Sequence, residues 1–340
     1  MTRFNIHNRR YVGSKYKISD EIVKLVLENC GGDNFFDVFG GTGIMTEKMI
    51  PHVDTLIIND FLYSNEIIYK AFFDSNGVNM KKLNKLADMF NTTYKYNLVQ
   101  ENYCSINFGD KYFSKSDAFT IGEIRQEIDN LYSNSKITVK EFNVLLSSLI
   151  YSVDKISNTV GHYDAYRKIK MIDDLFKYQL IEPIETRGKS IQIYREDSND
   201  LVSKIKNIDI AFVDPPYNSR QYSRFYHVLE NIAKWDKPEL HGVAMKPEPD
   251  NMSDYCRIAA GAVFEDLISK LDSKYVVVTY NNTYNSKSNS SRNKIEIEEL
   301  EGILNKKGLL KKFAIKHNFF NAGKTEFKDH KEFVYVVEAK

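Results

Sequence analysis

Hydrophobic residues recur at two different spacings along the first sixty residues. Residues 19–29 carry Ile, Val and Leu at helical spacing and are followed by two glycines, which predicts a helix and its end. The apolar run at 34–39 predicts a strand that breaks into glycines. Residues 44–50 predict a second helix, which ends before Pro51, and 55–61 predicts a second strand.

The order strand, glycine turn, helix, strand is typical of one half of a doubly wound α/β fold. Between residues 62 and 185 the pattern becomes helical, most clearly at 120–132 and 140–153, and strand alternation is not evident. Strands and helices then alternate again. The later predicted strands lie in 190–202, 208–217, 275–282, 313–320 and 332–339, with a helix at 225–235 and an antiparallel pair formed by the last two strands.

The chain is therefore predicted to hold a catalytic α/β domain, 1–61 and 186–340, interrupted by a mainly helical region, 62–185. The Ser/Asn-rich run 281–293 predicts a mobile surface loop. Arg125, Lys136 and Lys140 lie on predicted helix faces and are expected to be solvated charges.

Composition narrows the class of protein only modestly. The 340 residues carry a net charge of +1, which neither requires nor excludes a nucleic-acid partner. Uninterrupted apolar runs long enough to cross a membrane and an apolar secretion signal are not evident, so we expect a cytoplasmic protein. The three cysteines lack metal-ligand spacing with one another or with the histidines; we expect buried thiols and no metal.

The turn FDVFGGTG at 36–43 is the first candidate site. Glycines in a strand-to-helix turn let the backbone approach a ligand closely. Asp60, at the end of the next strand, is placed to hold ribose hydroxyl groups, and the pair favours an adenosine-containing cofactor. The spacing departs from the dinucleotide fingerprint and lacks the lysine of a phosphate loop, so phosphate binding is not indicated.

The second candidate site is DIAFVDPPYNSRQY at 209–222. Asp214 follows an apolar strand, at the sheet edge where open α/β sheets bind ligands. Pro215 and Pro216 fix the backbone and remove two donors, so the turn presents acceptors. The Asp214 carboxylate and the Pro215 carbonyl could accept both hydrogens of an exocyclic amine, while Tyr217 could stack on its ring.

These two turns, with RYVGSKYK at 10–17, resemble the alpha-class DNA adenine-N6 methyltransferases of the Dam type. The order of the motifs is the same, and the resemblance covers roughly 8–61 and 188–340. It implies a Rossmann-like fold that depends on S-adenosylmethionine, with 62–185 as an inserted target-recognition region. It also implies transfer of a methyl group to the N6 amine of an adenine flipped out of double-stranded DNA.

The resemblance implies a residue set for the cofactor. Asp197 would bind the cofactor adenine, with Asp200 as a rival that could equally serve as an acid at a helix N-terminus. The cofactor set is Tyr11, Lys15, Asp37, Phe39, Gly40, Gly43, Asp60 and Asp197, and the catalytic set is Asp214, Pro215, Pro216 and Tyr217.

DNA contacts are expected on both sides of the target base. The run 158–168 resembles a region that faces the substrate in this family, although a polar loop between helices explains it equally well. Arg220 and Arg224 follow the catalytic turn and are placed to touch phosphates. The expected DNA-contacting residues are Tyr163, Arg167, Lys168, Arg220 and Arg224.

Three functions remain open at this point. The main expectation is the modification enzyme of a restriction system, with a cognate endonuclease acting separately. The first alternative keeps the chemistry but methylates N4 of cytosine, or adenine in RNA. The second is an inactive DNA-binding protein on a methyltransferase fold, which predicts a broken motif; the motifs here are intact.

Overall fold

A computed structural model describes residues 5–94, 100–186, 188–217, 219–282, 294–316 and 331–340. The chain forms two compact units, each built from three segments. The sheet unit comprises Gly13–Phe61, Gly188–Gln221 and Asn251–Lys340. The helical unit comprises Met1–Val12, Leu62–Arg187 and Tyr222–Asp250.

The sheet unit contains a seven-stranded sheet of order β3-β2-β1-β4-β5-β7-β6. Its first five strands in this order are parallel, and β7 pairs antiparallel with both β5 and β6. The α/β fold and the antiparallel closing pair are thus confirmed. The strands are β1 Asn34–Asp37, β2 Thr55–Asn59, β3 Ser190–Tyr194, β4 Ile208–Val213, β5 Ser273–Asn281, β6 Gly308–Lys316 and β7 Lys331–Ala339.

The sheet order brings the carboxyl ends of β1 and β4 together. These strands are parallel neighbours in the register Phe35↔Ile210 and Asp37↔Phe212. From β1 the chain continues outward to β2 and β3 on one side, and from β4 it continues outward to β5 on the other side. The direction of the connections therefore reverses between β1 and β4. Such a switch point is where open α/β sheets bind their ligands, so the two candidate turns meet at the expected place.

Helices pack against the sheet through apolar faces. The predicted first helix is confirmed with the same bounds, and the second ends one residue earlier than predicted, at Met49. These apolar faces form a core of buried aliphatic and aromatic side chains, in which Phe36, Val276 and Phe264 are fully excluded from solvent. The helices of this unit are α1 Ser19–Asn29, α2 Ile44–Met49, α8 Ser198–Leu201, α11 Ala260–Lys270 and α12 Ile297–Lys307, with short 3-10 turns at Tyr16–Ile18 and Asp254–Cys256.

The helical unit is built around α7. This helix begins with a capping box, in which the Thr138 side chain accepts from the Glu141 N–H and the Glu141 carboxylate accepts from the Thr138 N–H. Thirteen of its eighteen residues are buried, because other helices surround it. The helices of the unit are α3 Tyr63–Phe72, α4 Met80–Thr93, α5 Tyr103–Phe108, α6 Lys115–Ser133, α7 Val139–Ile156, α9 Tyr222–Phe225 and α10 His227–Lys234.

The unit boundaries differ in part from the predicted domain boundaries. The contact-based units meet near residues 61 and 187, and residues 5–12 and 222–250 cluster with the helical unit by their contacts; the predicted domain division stays a prediction. The reason is that α10 packs on α3 and α7. The role of the helical unit in target recognition stays a prediction. Most of the predicted loop, 283–293, and the end of one predicted strand, 317–320, lie outside the described residues.

One expectation about surface charges is wrong. Arg125 is 2% exposed, and its guanidinium donates to the carbonyl oxygens of Ile232 (2.7 Å) and Ala233 (3.2 Å). Periodicity cannot reveal this, because the residues that bury Arg125 come from a helix a hundred residues later. Lys140 is half-buried, and burial lowers the pKa of its amine to about 8. Lys136 is exposed, as expected.

Two further observations concern the hydropathy of the helices and the cysteines. In the described part of the chain, helices with the length and apolar character needed to cross a membrane are absent. The three thiols are free; Cys104 and Cys256 are buried, while Cys30 is half-buried. Burial raises the pKa of Cys256 to about 12, which disfavours the thiolate form at neutral pH.

Candidate active site of the sheet unit

The turn that joins β1 to α2 takes a conformation that requires glycine. Gly41 and Gly43 have φ angles of 53° and 79°, in the left-handed region that side chains disfavour. The Gly43 N–H donates to the Gly40 carbonyl at 2.7 Å, and the Gly40 N–H donates to the Asn59 carbonyl at 2.7 Å. The turn is therefore tied to the end of β2, and its backbone can approach a ligand closely.

Asp37, the last residue of β1, carries an incompletely partnered carboxylate. It is 1% exposed, and its Oδ2 accepts from the Thr46 hydroxyl at 3.0 Å, while its Oδ1 is buried with no hydrogen-bond partner. Burial raises the pKa of Asp37 to about 7, the charges of Asp214 and Asp60 add to this, and the Thr46 hydrogen bond opposes it. A buried acceptor without a donor is costly, which points to a cationic or hydrogen-bonding ligand.

Asp60 follows β2 and braces the glycine turn. Its Oδ2 accepts from the Gly41 N–H at 2.9 Å. Asn59 beside it donates to the Val38 carbonyl and accepts from the Glu196 N–H, which connects the ends of three strands. The predicted role of Asp60 in ribose binding stays a prediction, and the structure adds a role in shaping the turn.

Asp197 and Asp200 are both exposed, and they differ in their local contacts. Asp197 is the N-cap of α8, where its carboxylate accepts from the Asn199 and Asp200 N–H groups. Asp200 lies in the first turn of the same helix, so the helix-terminus position that the sequence offered to it is confirmed, and Asp197 adds the N-cap. Neither placement tests which acid binds a cofactor adenine.

Asp214 stands directly after β4 and is surrounded by donors. Its Oδ1 lies 2.9 Å from the Lys15 Nζ and accepts from the Thr279 hydroxyl at 2.8 Å and from the Tyr217 hydroxyl. Pro215 behind it is buried. The carboxylate is thus held at the same sheet edge as Asp37, with its orientation set by groups from three separate segments.

Lys15 is buried rather than exposed. It is 5% exposed and lies within 3.2 Å of the Glu332 Oε1 as well as 2.9 Å from Asp214. Burial lowers its pKa, but the two carboxylates outweigh burial and the pKa of Lys15 is raised, so it remains charged. The N-terminal motif therefore meets the DPPY turn through this lysine, a contact that the sequence does not show.

The hydroxyl of Tyr217 has a role that sequence reasoning missed. It lies 3.0 Å from the Glu332 Oε1, donates to Asp214 and accepts from Lys15. Its ring lies edge-on to Tyr280 at 5.0 Å, with the Lys15 ammonium 4.7 Å from the ring centroid. The predicted stacking on a target base stays a prediction.

Two polar residues of this site were absent from the sequence-based set. Thr279 lies on β5 and Glu332 on β7, both buried. Thr279 sits in the strand YVVVTYNN without any motif around it. Glu332 is an acid next to the run FVYVV, and an acid at the start of such an apolar strand is the one signal that could have identified it.

Phe39 and Tyr11 belong to different units. Phe39 is half-buried beside the glycine turn, with its ring edge-on to Tyr255 at 5.1 Å. Tyr11 lies in the helical unit, where its ring stacks on Tyr226 at 5.0 Å. Its predicted contact with a cofactor stays a prediction.

The residues expected to contact DNA are in dissimilar environments. Tyr163 is 1% exposed and its hydroxyl donates to the Asp154 carboxylate at 2.9 Å, which argues against a DNA contact by its side chain. Arg167 and Lys168 are exposed. Arg224 is half-buried and donates to the Pro247 carbonyl at 2.5 Å.

Arg220 is also half-buried, and its carbonyl accepts from the Cys256 thiol at 3.3 Å. Of the five residues expected to contact DNA, the exposed Arg167 and Lys168 retain the clearest access to a phosphate. In the described ranges we find no group of three or more His, Cys, Asp or Glu side chains arranged to hold a metal ion.

Comparison with known proteins places these features in context. The model of the D12 class N6 adenine-specific DNA methyltransferases matches residues 11–267. This range contains both candidate turns and the whole helical region between them.

Curated relatives agree with this match. The chain is 31% identical to the type II methyltransferase M.FokI of Planomicrobium okeanokoites, over 97% of this chain and 52% of that protein. It is 32% identical to the modification methylase StsI of Streptococcus sanguinis, over 80% of this chain and 44% of that protein. The chain thus spans about half the length of these two relatives. It is 28% identical to the type II methyltransferase M.NlaIII of Neisseria lactamica, over 96% and 98% of the two chains.

Proposed function

The chain belongs to the family of D12 class N6 adenine-specific DNA methyltransferases, and from this premise we propose that it transfers a methyl group to the N6 amine of adenine in double-stranded DNA. The observation that carries the proposal is the pair of carboxylates at the switch point. Asp37 offers a buried acceptor without a donor, and Asp214 is the ordered acceptor of the intact DPPY turn.

We further propose that the methyl donor is S-adenosylmethionine. The residues fit it: the unpartnered Asp37 Oδ1 suits an ammonium group, and the Gly41 and Gly43 turn permits close approach. Asp60 and one of Asp197 and Asp200 supply acceptors for hydroxyl and amine groups. When bound, this donor supplies an already activated methyl group, so the protein needs to align the reactants rather than activate the carbon.

The chemistry of the protein is then centred on Asp214. Its carboxylate and the Pro215 carbonyl accept the two hydrogens of the target amine, which turns the nitrogen lone pair toward the methyl group. The Asp214 Oδ1 is held by Thr279, so this acceptor does not need to reorient. The nitrogen loses one proton on methylation, and Asp214 is the acceptor nearest to receive it.

The target nitrogen lies inside the DNA duplex, so the base must leave the stack to reach Asp214. We propose that the helical unit, with the exposed Arg167 and Lys168, contacts the DNA around the target. We also propose a modification enzyme of a restriction system that acts in the cytoplasm with a separate endonuclease as its functional partner; the relatives named type II methyltransferase and modification methylase support the modification role.

The direct test is transfer of a tritiated methyl group from S-adenosylmethionine to mixed duplex DNA. We expect the label in N6-methyladenine; label in cytosine or in RNA would contradict the proposal in favour of the corresponding alternative, and absence of transfer would favour an inactive protein. Sequencing of methylated DNA from an expressing host should then identify the recognition site.

A further inference from the structure

Glu332 is a buried acid at the centre of the site. It lies on β7, opposite Asn281 of β5, and is 4% exposed. It shares two partners with Asp214: the Lys15 ammonium and the Tyr217 hydroxyl. Two carboxylates from distant strands are thus held around the same two donors.

The distances show that these donors bond either carboxylate without moving far. The Lys15 Nζ is 2.9 Å from the Asp214 Oδ1 and 3.2 Å from the Glu332 Oε1. The Tyr217 oxygen is 3.0 Å from the same Glu332 oxygen while it also bonds to Asp214. A tyrosine hydroxyl has one hydrogen and can donate it to only one acceptor at a time.

Methylation requires Asp214 to accept a hydrogen bond from the substrate while donors of the protein already occupy it. The target amine must donate a hydrogen to this carboxylate, so donors from the protein that occupy Asp214 compete with the substrate. If Lys15 and Tyr217 lost Asp214 without another acceptor, a buried charge and a buried hydroxyl would be left unpaired, which is strongly unfavourable.

We propose that Glu332 takes over Lys15 and the Tyr217 hydroxyl when the target amine bonds to Asp214. Glu332 is then a positioning residue, since it acts through these two groups and does not touch the substrate. This inference rests on the proposed function, because it assigns the amine to Asp214.

The charges in the cluster support this exchange. Burial raises the pKa of Tyr217 well above its usual value, and the two neighbouring carboxylates raise it further, so the hydroxyl keeps its hydrogen at neutral pH. Burial also raises the pKa of Glu332, while Lys15 opposes that shift. Lys15 is therefore the group that allows two carboxylates to stay close together.

The test is Glu332→Gln, assayed in single turnovers on a duplex that carries the site found in host DNA. The amide has the shape of the acid but is a weaker acceptor, so Lys15 and Tyr217 stay on Asp214. We expect the rate at saturating donor and DNA to fall about ten-fold or more, with the dissociation constants of S-adenosylmethionine and of a duplex carrying purine at the target position unchanged within about two-fold. Glu338→Gln is the matched control on the same strand; Glu338 is exposed, and the control should keep the wild-type rate.

A binding measurement checks the inference without turnover. The purified protein is titrated with duplexes carrying either adenine or purine at the target position; purine lacks the amine. The wild-type protein should prefer adenine, and Glu332→Gln should lose most of that preference. Equal preference in both proteins would overturn the inference.

A double-mutant cycle with Lys15→Met separates positioning from simple packing. Without Lys15, Asp214 and Glu332 repel each other around one hydroxyl, so adding Glu332→Gln should leave the rate equal or higher. A further fall of the size seen for Glu332→Gln alone would contradict the exchange. Where Glu332→Gln alone does not fold, Lys15→Met is compared directly with the double variant, and a fall in rate on adding Glu332→Gln contradicts the exchange.

The outcomes also distinguish failure of the proposed function from failure of the role proposed for Glu332. Wild-type protein that does not methylate adenine would refute the proposed function. Wild-type protein that methylates normally, with a Glu332→Gln variant of equal rate and equal preference for adenine, would refute only the role of Glu332.

Discussion

Two carboxylates end neighbouring parallel strands, and their surroundings are opposite. Asp37, after β1, has one hydroxyl donor and one buried oxygen without a partner. Asp214, after β4, is bonded by Lys15, Tyr217 and Thr279. The difference indicates what each is prepared for: Asp37 is completed by a ligand that brings its own donors, whereas Asp214 must exchange donors that it already has.

The largest expected effect follows from Asp214→Asn. An amide presents a donor where the target amine needs an acceptor, so the single-turnover rate should fall by about 10³-fold or more, while donor affinity stays within about two-fold. Rapid-quench assays and equilibrium binding measure the two quantities. Asp54→Asn, at the exposed amino end of β2, is the control, and an equal loss there would remove the distinction between the two strand ends.

Asp37→Asn should reduce affinity for the methyl donor more than it reduces the rate, the reverse of Asp214→Asn. We expect the affinity for S-adenosylmethionine to fall about 100-fold, since the variant loses a charge-assisted acceptor, with less effect on the rate at saturation. Isothermal titration calorimetry measures the affinity. A variant that binds normally but cannot react would mean that the roles of Asp37 and Asp214 have been exchanged.

The same affinity should depend on pH in the wild-type protein. With a pKa of about 7, Asp37 is increasingly protonated as the pH falls below 7, and binding next to an ammonium group requires it to ionise. Affinity should therefore drop by up to about ten-fold per pH unit between pH 7 and pH 5. In Asp37→Asn this dependence should disappear; a wild-type affinity that does not change over this range would contradict the assignment.

The stability of the fold should depend on pH in the opposite direction to the affinity, because of the same residue, Asp37. Its folded-state pKa is raised above the unfolded value, so the folded protein binds more protons between about pH 4 and 7, and stability falls as pH rises through this window. Asp37→Asn removes the cost of ionising a buried carboxyl group. The free energy of unfolding of the variant, relative to that of the wild type, should therefore rise by on the order of 4 kcal/mol from pH 4 to pH 8. Urea unfolding at both pH values measures this, and a gain that is independent of pH would point to another cause.

The smallest effects are expected from the two threonine donors. Thr46→Val removes the hydroxyl that donates a hydrogen bond to Asp37 and should raise the pKa of Asp37. The affinity for S-adenosylmethionine should therefore fall about five-fold at neutral pH. Thr279→Val removes one neutral hydrogen bond from Asp214, and Lys15 and Tyr217 hold the carboxylate until the target amine bonds, so the rate should change less than about three-fold. A fold-loss of rate in Thr279→Val that exceeds the fold-loss of affinity in Thr46→Val would contradict this order of effects.

Much of the sheet unit could be predicted from the sequence. Glycines, prolines and strand-like apolar runs are local signals, and they placed Asp60 and Asp214 at strand ends and Asp37 in the strand just before the glycine turn. The same reasoning was wrong for Arg125, and Tyr163 proved to be buried as well, because burial depends on distant segments. A polar residue in a helical region looks the same whether solvent or another helix lies beside it.

The sequence by itself determined the class of fold, the family motifs and the position of the acids that end β1, β2 and β4, since each depends on the conformational preferences of a few adjacent residues. Only the tertiary structure decided which carboxylate is partnered. Lys15 and Thr279 reach Asp214 from segments up to about two hundred residues away, and Glu332 shares Lys15 with it. Burial of those groups together, which no local pattern records, sets their charges and their hydrogen bonds.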